Sequence, residues 1–352
     1  MNQQLLLKNQ YLWIGSTLIL VGAYAFHILI LIDINSLWAD ELSTIYKTVE
    51  LNRAEMLSYL GTDAHPPLYY LILRYWFSIF TPSTITLRLM SWIFYLIGGI
   101  FMTLLSLQIG YNKSKKSAWV SACLGSLIAF CSPFAINFAI EGKGYSLTVM
   151  LIAAGLFCRQ RYLLSKKDSM RQKAHLACMA LFLASAGMTH FYGLFLTLGL
   201  LSGDIIWAFV KKVRNRALRL QLAISEAASC IPVVVWIAAN YLHLSSRKGI
   251  SWIGEPDYGL FESILANYIG PLPLPKLGIL GIVLLLLSQQ NLLGWRKHIS
   301  TASSEYSTAD LAGVPGGIIM VFFVIIISFI HPLAYGRYFI VLLPIIGPFT
   351  AV

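Results

Sequence analysis

Long apolar runs separated by short polar breaks dominate the chain. The first, residues 11–32, would reach about 33 Å as a helix at 1.5 Å per residue, enough to cross a bilayer core. Similar runs lie at 88–110, 118–138, 144–160, 175–190, 193–210, 222–241 and 274–290. They are apolar around their whole circumference rather than along one stripe, as lipid-facing and bundle-core helices are. The pattern predicts an all-α polytopic membrane protein, a bundle of about 10 transmembrane helices forming one domain over 1–352. No small-residue cleavage site follows the first run, which therefore reads as a retained helix rather than a signal peptide. The last run, 338–352, ends without a polar tail, so it predicts either a short final helix or a natural protein truncated there.

One stretch breaks the rhythm. Residues 66–80 have helical character but would extend only about 22 Å, too short for a span. If they crossed, every later polar break would change sides. They are assigned to the membrane interface, which makes 33–87 one long external loop carrying amphipathic helices. Within it Asn52-x-x-Glu55 has the form of a capping box, Gly61 suits a helix C-cap and Pro66 a first helical position.

Composition sharpens the picture. Apolar residues make up 57% of the chain and charged residues 12%, with mean hydropathy +0.71. That is about half the charge of a soluble protein, too little to cover a water-facing surface. The five cysteines (Cys123, Cys131, Cys158, Cys178, Cys230) sit in apolar runs without a C-x-x-C pair and read as packing residues.

The net charge is +11, and placement explains it. Basic clusters lie at Lys113, Lys115, Lys116; at Arg159, Arg161, Lys166, Lys167, Arg171, Lys173; at Lys211, Lys212, Arg214, Arg216, Arg219; and at Arg296, Lys297. About two spans separate consecutive clusters, so all can share one side, which the positive-inside rule makes cytoplasmic. The excess is a topology signal and gives no reason to expect a nucleic-acid partner.

The opposite ends hold the candidate chemistry. Asp40-Glu41 follows the first span, and Asp63-Ala64-His65-Pro66-Pro67 precedes the interfacial helix. Three carboxylates and an imidazole can supply a general base and its supports, although Asp40 and Asp63 equally suit helix caps. Lys143 and Arg337 can bind a phosphate at the surface or simply snorkel to headgroups. Arg247, Lys248, Trp252, Glu255 and Asp257 occupy another external loop. His190, His27 and His331 read individually as packed histidines. Asp204 and Glu226 fall inside predicted spans about 9 Å or less from their cytoplasmic ends, where hydration suggests a structural role.

Other chemistries lack their motifs: there is no G-x-x-x-x-G-K-[ST], G-x-G-x-x-G, H-E-x-x-H, D-x-D or G-x-S-x-G. Asp40, Glu41 and His65 could hold a divalent cation, but their spacing is no metal signature. A transporter or lipid flippase would also need many spans, yet no internal repeat is evident.

The ordered set of external residues resembles the GT-C superfamily of integral-membrane glycosyltransferases, in particular the bacterial group containing protein O-mannosyltransferases and the lipid A aminoarabinose transferase (glycosyltransferase family 39-type). The pieces are Asp40-Glu41, Asp63-x-His65-Pro66-Pro67-Leu68, Arg88-Leu89-Met90-Ser91, Ser132-Pro133 leading to Glu141-x-Lys143-x-Tyr145, His190-Phe191-Tyr192-Gly193, and Arg337-Tyr338 with Pro344. At one point Lys143 stands where the resembled pattern has arginine. The resemblance implies transfer of a sugar, usually with inversion, from a polyprenyl-phosphate-linked donor to an acceptor hydroxyl of a lipid, glycan or protein. It places that reaction on the periplasmic face of a bacterial inner membrane. It implies catalytic Asp40 as base with Glu41 beside it. Substrate contacts would come from Asp63, His65, Arg88, Glu141, Lys143, Tyr145, His190, Tyr192, Arg337 and Tyr338. An inactive scaffold of the same fold is the alternative.

Overall fold

The apolar runs fold as long helices whose ends fall where polar breaks interrupt them. The structure, a computed structural model, describes residues 3–63, 65–210, 216–241, 253–271, 273 and 306–352, and every regular element among them is helical. The first is α1 (Gln3–Ile30), which tightens into a 3-10 turn at Leu31–Asp33. Three short helices follow: α2 (Ala39–Ile45), extended by a π turn at Tyr46–Glu50, α3 (Arg53–Leu60) and α4 (Leu68–Ile79). The chain then runs up and down through α5 (Thr84–Lys113), α6 (Lys115–Cys131), the short α7 (Pro133–Ala139), α8 (Tyr145–Leu164), α9 (Met170–Thr189), α10 (Phe191–Val210) and α11 (Arg216–Ala239). Beyond these come α12 (Tyr258–Ile269), α13 (Thr308–Leu311) and α14 (Val314–Ser328), then a 3-10 turn at Gly336–Leu342 leading into α15 (Leu343–Thr350).

Among the described residues five helices are long and apolar enough to cross a membrane, six counting the bent pair α6–α7. The chain is an integral membrane protein. The expected span at 274–290 lies outside the described residues, as do Lys211, Lys212, Arg214, Arg247, Lys248, Trp252, Arg296 and Lys297. Helix α5 packs mainly on α6 and α8, α8 on α9, and α10 on α11 and α14. Helix α1 lies at the edge against α6, tied to α5 where Trp92 Nε1 donates to Ala25 O at 3.0 Å.

Four local expectations meet the structure with different outcomes. The capping box forms: Asn52 Oδ1 accepts from the Ala54 and Glu55 amides at 2.9 and 3.0 Å, and Glu55 Oε2 accepts from the Asn52 amide. Gly61 does cap α3, but in the right-handed region, where it packs against the Asn240 side chain, so its place there does not rest on a left-handed backbone. The interfacial helix begins at Leu68 rather than Pro66, because a residue preceding proline is disfavoured in the helical region and Pro66 precedes Pro67. The single span expected at 118–138 is broken, with α7 turned 48° from α6 at Ser132, which Pro133 holds in an extended conformation. Helix α4 does not cross the bundle, since the chain before α2 and the start of α5 meet at one end through Arg88.

At the opposite end five ionisable side chains are buried together. Arg159 forks onto Asp204, with Nη2 2.8 and 2.7 Å from its two oxygens, and donates from Nη1 to Asp310 O at 3.0 Å. Arg219 bridges Asp204 and Asp310, and Arg159 Nε lies 3.5 Å from Glu226 Oε1. This corrects two expectations. Arg159 and Arg219 are buried ion-pair partners rather than surface topology charges; Asp204 is held by both arginines, and Glu226 is fully buried beside Arg159 rather than hydrated. The cluster clamps α8, α10 and α11 to α13. Removing one partner of such a buried set leaves an uncompensated charge, at a cost of about 3–5 kcal/mol. Asp204→Asn should therefore lower stability by roughly that amount in denaturant titrations. Glu226→Gln should cost far less, because neither Glu226 oxygen accepts a hydrogen bond.

Candidate active site

Burial of the pair Glu41–Arg88 sets the geometry of the site. Glu41, in the first turn of α2, is 1% exposed. Arg88 Nε and Nη2 donate to its two oxygens at 2.9 and 2.7 Å. The Gly142 amide donates to Oε1 at 2.8 Å, and Oε2 lies 3.4 Å from the Trp38 amide. The remaining capacity of Arg88 goes to the carbonyls of Ile32, Asn35 and Ser36 at 3.0, 2.8 and 3.2 Å. Three segments distant in sequence are joined by one guanidinium and one carboxylate. Gly142 is required there, since a Cβ would sit 2.5 Å from Leu87 Cδ2 and 3.0 Å from the Glu41 oxygen its own amide binds.

Asp40 points the other way. Its side chain is 43% exposed, it is not a helix cap, and its Oδ2 lies 3.8 Å from Arg337 Nη1. The same nitrogen is 3.9 Å from Glu141 Oε1. These separations are ion pairs without hydrogen bonds, and Arg337 Nε has no hydrogen-bond partner. The guanidinium rests instead against the rings of Trp38 and Tyr335, 5.3 and 4.8 Å from their centroids. Lys143 is buried beside Glu141 and forms no ion pair among the described residues. Burial pulls its ammonium below the usual lysine range, against the favourable charge of Asp40. Burial also pushes the Glu141 carboxyl up to about 7, opposed by Arg337 and Lys143.

A second buried group stands behind these. Asp63 is not a cap either: it pairs with Lys47 and with His65, whose Nδ1 is 3.1 Å from Oδ1. Burial works to raise its pKa, but the His65 hydrogen bond and the charges of His65 and Lys47 win and hold it far below the carboxylate range. Lys47 also lies 5.4 and 5.1 Å from the ring centroids of Tyr59 and Tyr70. Arg74 on α4 closes the turn that carries Lys47, donating to Leu51 O at 2.6 Å.

His190, between α9 and α10, joins both groups. Its ring is 5.2 Å from that of His65, 4.9 Å from Tyr338 and 5.7 Å from both Tyr145 and Tyr192. Nδ1 accepts the Tyr192 amide at 3.2 Å, which assigns the ring proton of the neutral form to Nε2. Nε2 has no partner. Burial, then His65 and Lys143, keep the imidazole neutral by lowering its pKa well below the usual value. His65, Lys143 and His190 border a cavity of about 10 Å³, room for about one water.

The structure thus brings Asp40, Glu141, Lys143, Arg337 and Tyr338 together, with Asp63, His65, His190, Tyr145 and Tyr192 behind them. Glu41 and Arg88 lie beneath as a support. Sequence reasoning missed Lys47, whose signal was its place seven residues after Asp40, two helical turns on. It also missed Trp38 and Tyr335, which nothing local distinguishes from other interfacial aromatics. No group of three or more His, Cys, Asp or Glu residues suited to a metal ion occurs among the described residues.

A helical membrane bundle with one of its two ionisable clusters left open beside the short helices α2–α4 has a GT-C-like fold. Crystal structures of ArnT from Cupriavidus metallidurans, in the apo state and bound to undecaprenyl phosphate, match with TM-scores of 0.56 and 0.57. Identity is 14% in both; the alignments cover 96% and 95% of this chain but 59% of ArnT, so the chain spans about three-fifths of its length. No family model and no curated protein matches the sequence.

The raised Glu141 pKa has a measurable consequence. Between its usual value of 4.5 and about 7 the folded chain keeps a proton that the unfolded chain has released. Stability should fall as pH rises across that window and level off above it. Melting curves in detergent should show this decline for the wild type and its loss in Glu141→Gln.

Proposed function

We propose that the chain transfers a sugar from a polyprenyl-phosphate-linked donor to an acceptor hydroxyl at the non-cytoplasmic surface of a bacterial inner membrane, with inversion. The observation that carries this reading is the pairing of a half-exposed carboxylate, Asp40, with a guanidinium whose hydrogen-bonding capacity is largely unspent, Arg337. The GT-C-like fold and the undecaprenyl phosphate bound by ArnT support a lipid phosphate as the leaving group.

Asp40 takes the proton of the acceptor hydroxyl while the acceptor oxygen attacks the anomeric carbon. The bond from that carbon to the phosphate oxygen breaks, and polyprenyl phosphate departs with the electron pair. Arg337 and Lys143 receive the charge that develops on the phosphate, the first as a planar donor fork and the second as a point charge. With its lone pairs occupied by Arg88 and Gly142, Glu41 positions the turn that presents Asp40. Asp63, paired with Lys47, fixes His65; His190 offers Nε2–H, and Tyr145, Tyr192 and Tyr338 pack around its ring.

Reconstituted with a radiolabelled polyprenyl-phosphate sugar, the wild type should transfer label and Asp40→Asn should be slower by roughly 10²–10⁴-fold, the usual contribution of a general base. Equal rates would reject Asp40 as the base.

Sidedness has its own measurement. A cysteine introduced at Thr48, central in the external loop, would be shielded from label, because that position is buried and its Oγ1 donates to Thr44 O at 2.8 Å. Ala54, exposed at the start of α3, is the better reporter. Ala54→Cys should be labelled by an impermeant maleimide added outside intact cells; labelling only after permeabilisation would invert the orientation.

A further inference from the structure

The end of the bundle opposite Asp40 carries a groove that the proposed reaction does not use. It opens between α9 and α11, with a volume of about 360 Å³. Its charged and amide lining, Asp168, Gln172, Lys173 and Gln221, lies around the starts of the two helices; further along are Leu176, Ile224 and Ala228, with one hydroxyl, Ser225, which donates to Leu176 O at 3.4 Å. From Gln221 to the deepest α11 residue, Ala228, is about 10 Å along the axis at 1.5 Å per residue. A cleft graded this way from polar to apolar along the membrane normal matches one phospholipid: headgroup at the helix ends, acyl chains alongside.

The rim is held in place. Asp168 occupies the left-handed region with φ 59°, uncommon for a residue other than glycine. Its amide donates to Gln172 Oε1 at 2.8 Å, and Gln172 Nε2 donates to Tyr162 O at 3.2 Å. The Tyr162 hydroxyl donates to Gln221 Oε1 at 2.5 Å, reaching the opposite wall. These bonds use the Asp168 backbone and leave its carboxylate exposed. Neither that carboxylate nor the exposed Lys173 ammonium forms an ion pair among the described residues. One anionic and one cationic group thus stand at the same mouth. A singly charged anion would satisfy only Lys173, whereas a zwitterion satisfies both.

We propose that this groove binds a phospholipid whose headgroup carries both a phosphate and a primary ammonium, the phosphate against Lys173 and the ammonium against Asp168. A primary ammonium can donate hydrogen bonds to the carboxylate and a trimethylammonium cannot, so the site distinguishes the two. The inference rests on the helices spanning a bilayer and is independent of sugar transfer.

Purified full-length protein would be offered phosphatidylethanolamine, phosphatidylcholine and phosphatidylglycerol with identical acyl chains. Binding would be read by native mass spectrometry and by the shift in melting temperature. The ethanolamine lipid should be retained severalfold better than the other two and should give the largest shift. Asp168→Asn, which tolerates the left-handed backbone, should erase the preference over phosphatidylcholine while the protein remains folded. Lys173→Gln should weaken binding of all three lipids. Equal retention of the three by the wild type would overturn the proposal. So would an ethanolamine preference that survives in Asp168→Asn, or a preference for phosphatidylglycerol, which would assign binding to the basic belt alone.

Discussion

The arrangement of the upper end of this protein depends on one buried ion pair. Removing Glu41 and Arg88 from water costs several kcal/mol per ion, and such a pair is retained only where geometry and additional hydrogen bonds repay it. Here both conditions hold. The guanidinium divides its donors between a carboxylate and three backbone carbonyls, and the carboxylate also receives the Gly142 amide. A lysine could not replace Arg88, because a point charge cannot address two diverging sets of acceptors. The turn after α1, the start of α2, α5 and the loop before α8 are therefore fixed relative to one another. Asp40 and Glu141 inherit their positions as neighbours of residues in that knot.

The bundle has a polar cluster at each end, and the two differ in kind. The lower cluster is closed: Arg159, Arg219, Asp204 and Asp310 are joined by hydrogen bonds and ion pairs, and all four are buried. The upper cluster is open. Arg337 and Lys143 lack close anionic partners among the described residues, Asp40 faces outward, and His190 holds an unused donor. Buried polar atoms without hydrogen-bond partners occur at both ends, on Gln160, Arg219 and Glu226 below and on Glu141, His190 and Arg337 above; the upper set differs in bordering the half-exposed Asp40.

Much of the fold was legible in the sequence, because a bilayer enforces long apolar helices and these write themselves as continuous runs. Helix α5 and the antiparallel path from α8 to α11 follow from run length and the spacing of polar breaks. Two features escaped that reading: the bend at Ser132, where a proline interrupts a run that hydropathy alone leaves intact, and the burial of Arg159 and Arg219. Both arginines sit in runs of basic residues in sequence, and their acidic partners are up to 151 residues away, so no local pattern separates a paired cation from a solvated one. The candidate site divides the same way. Asp40, Glu141, Lys143 and Arg337 are conspicuous as ions at helix ends, but only tertiary structure shows that Glu41 turns inward while its neighbour turns outward. Lys47 was hidden because a single lysine in a short helix has no signature until Asp63 is brought against it.

The order in which these pieces enter the chain has a consequence of its own. Asp40 and the Glu41–Arg88 knot come from the first 90 residues and Glu141 and Lys143 from the next 60, but Arg337 follows only much later, in the turn at Gly336–Leu342. During synthesis the carboxylates are in place long before the guanidinium that faces them. A partly made chain therefore has the Asp40 carboxylate without the guanidinium that faces it, and the upper cluster is completed only when the segment carrying Arg337 docks, so biogenesis itself delays the assembled site.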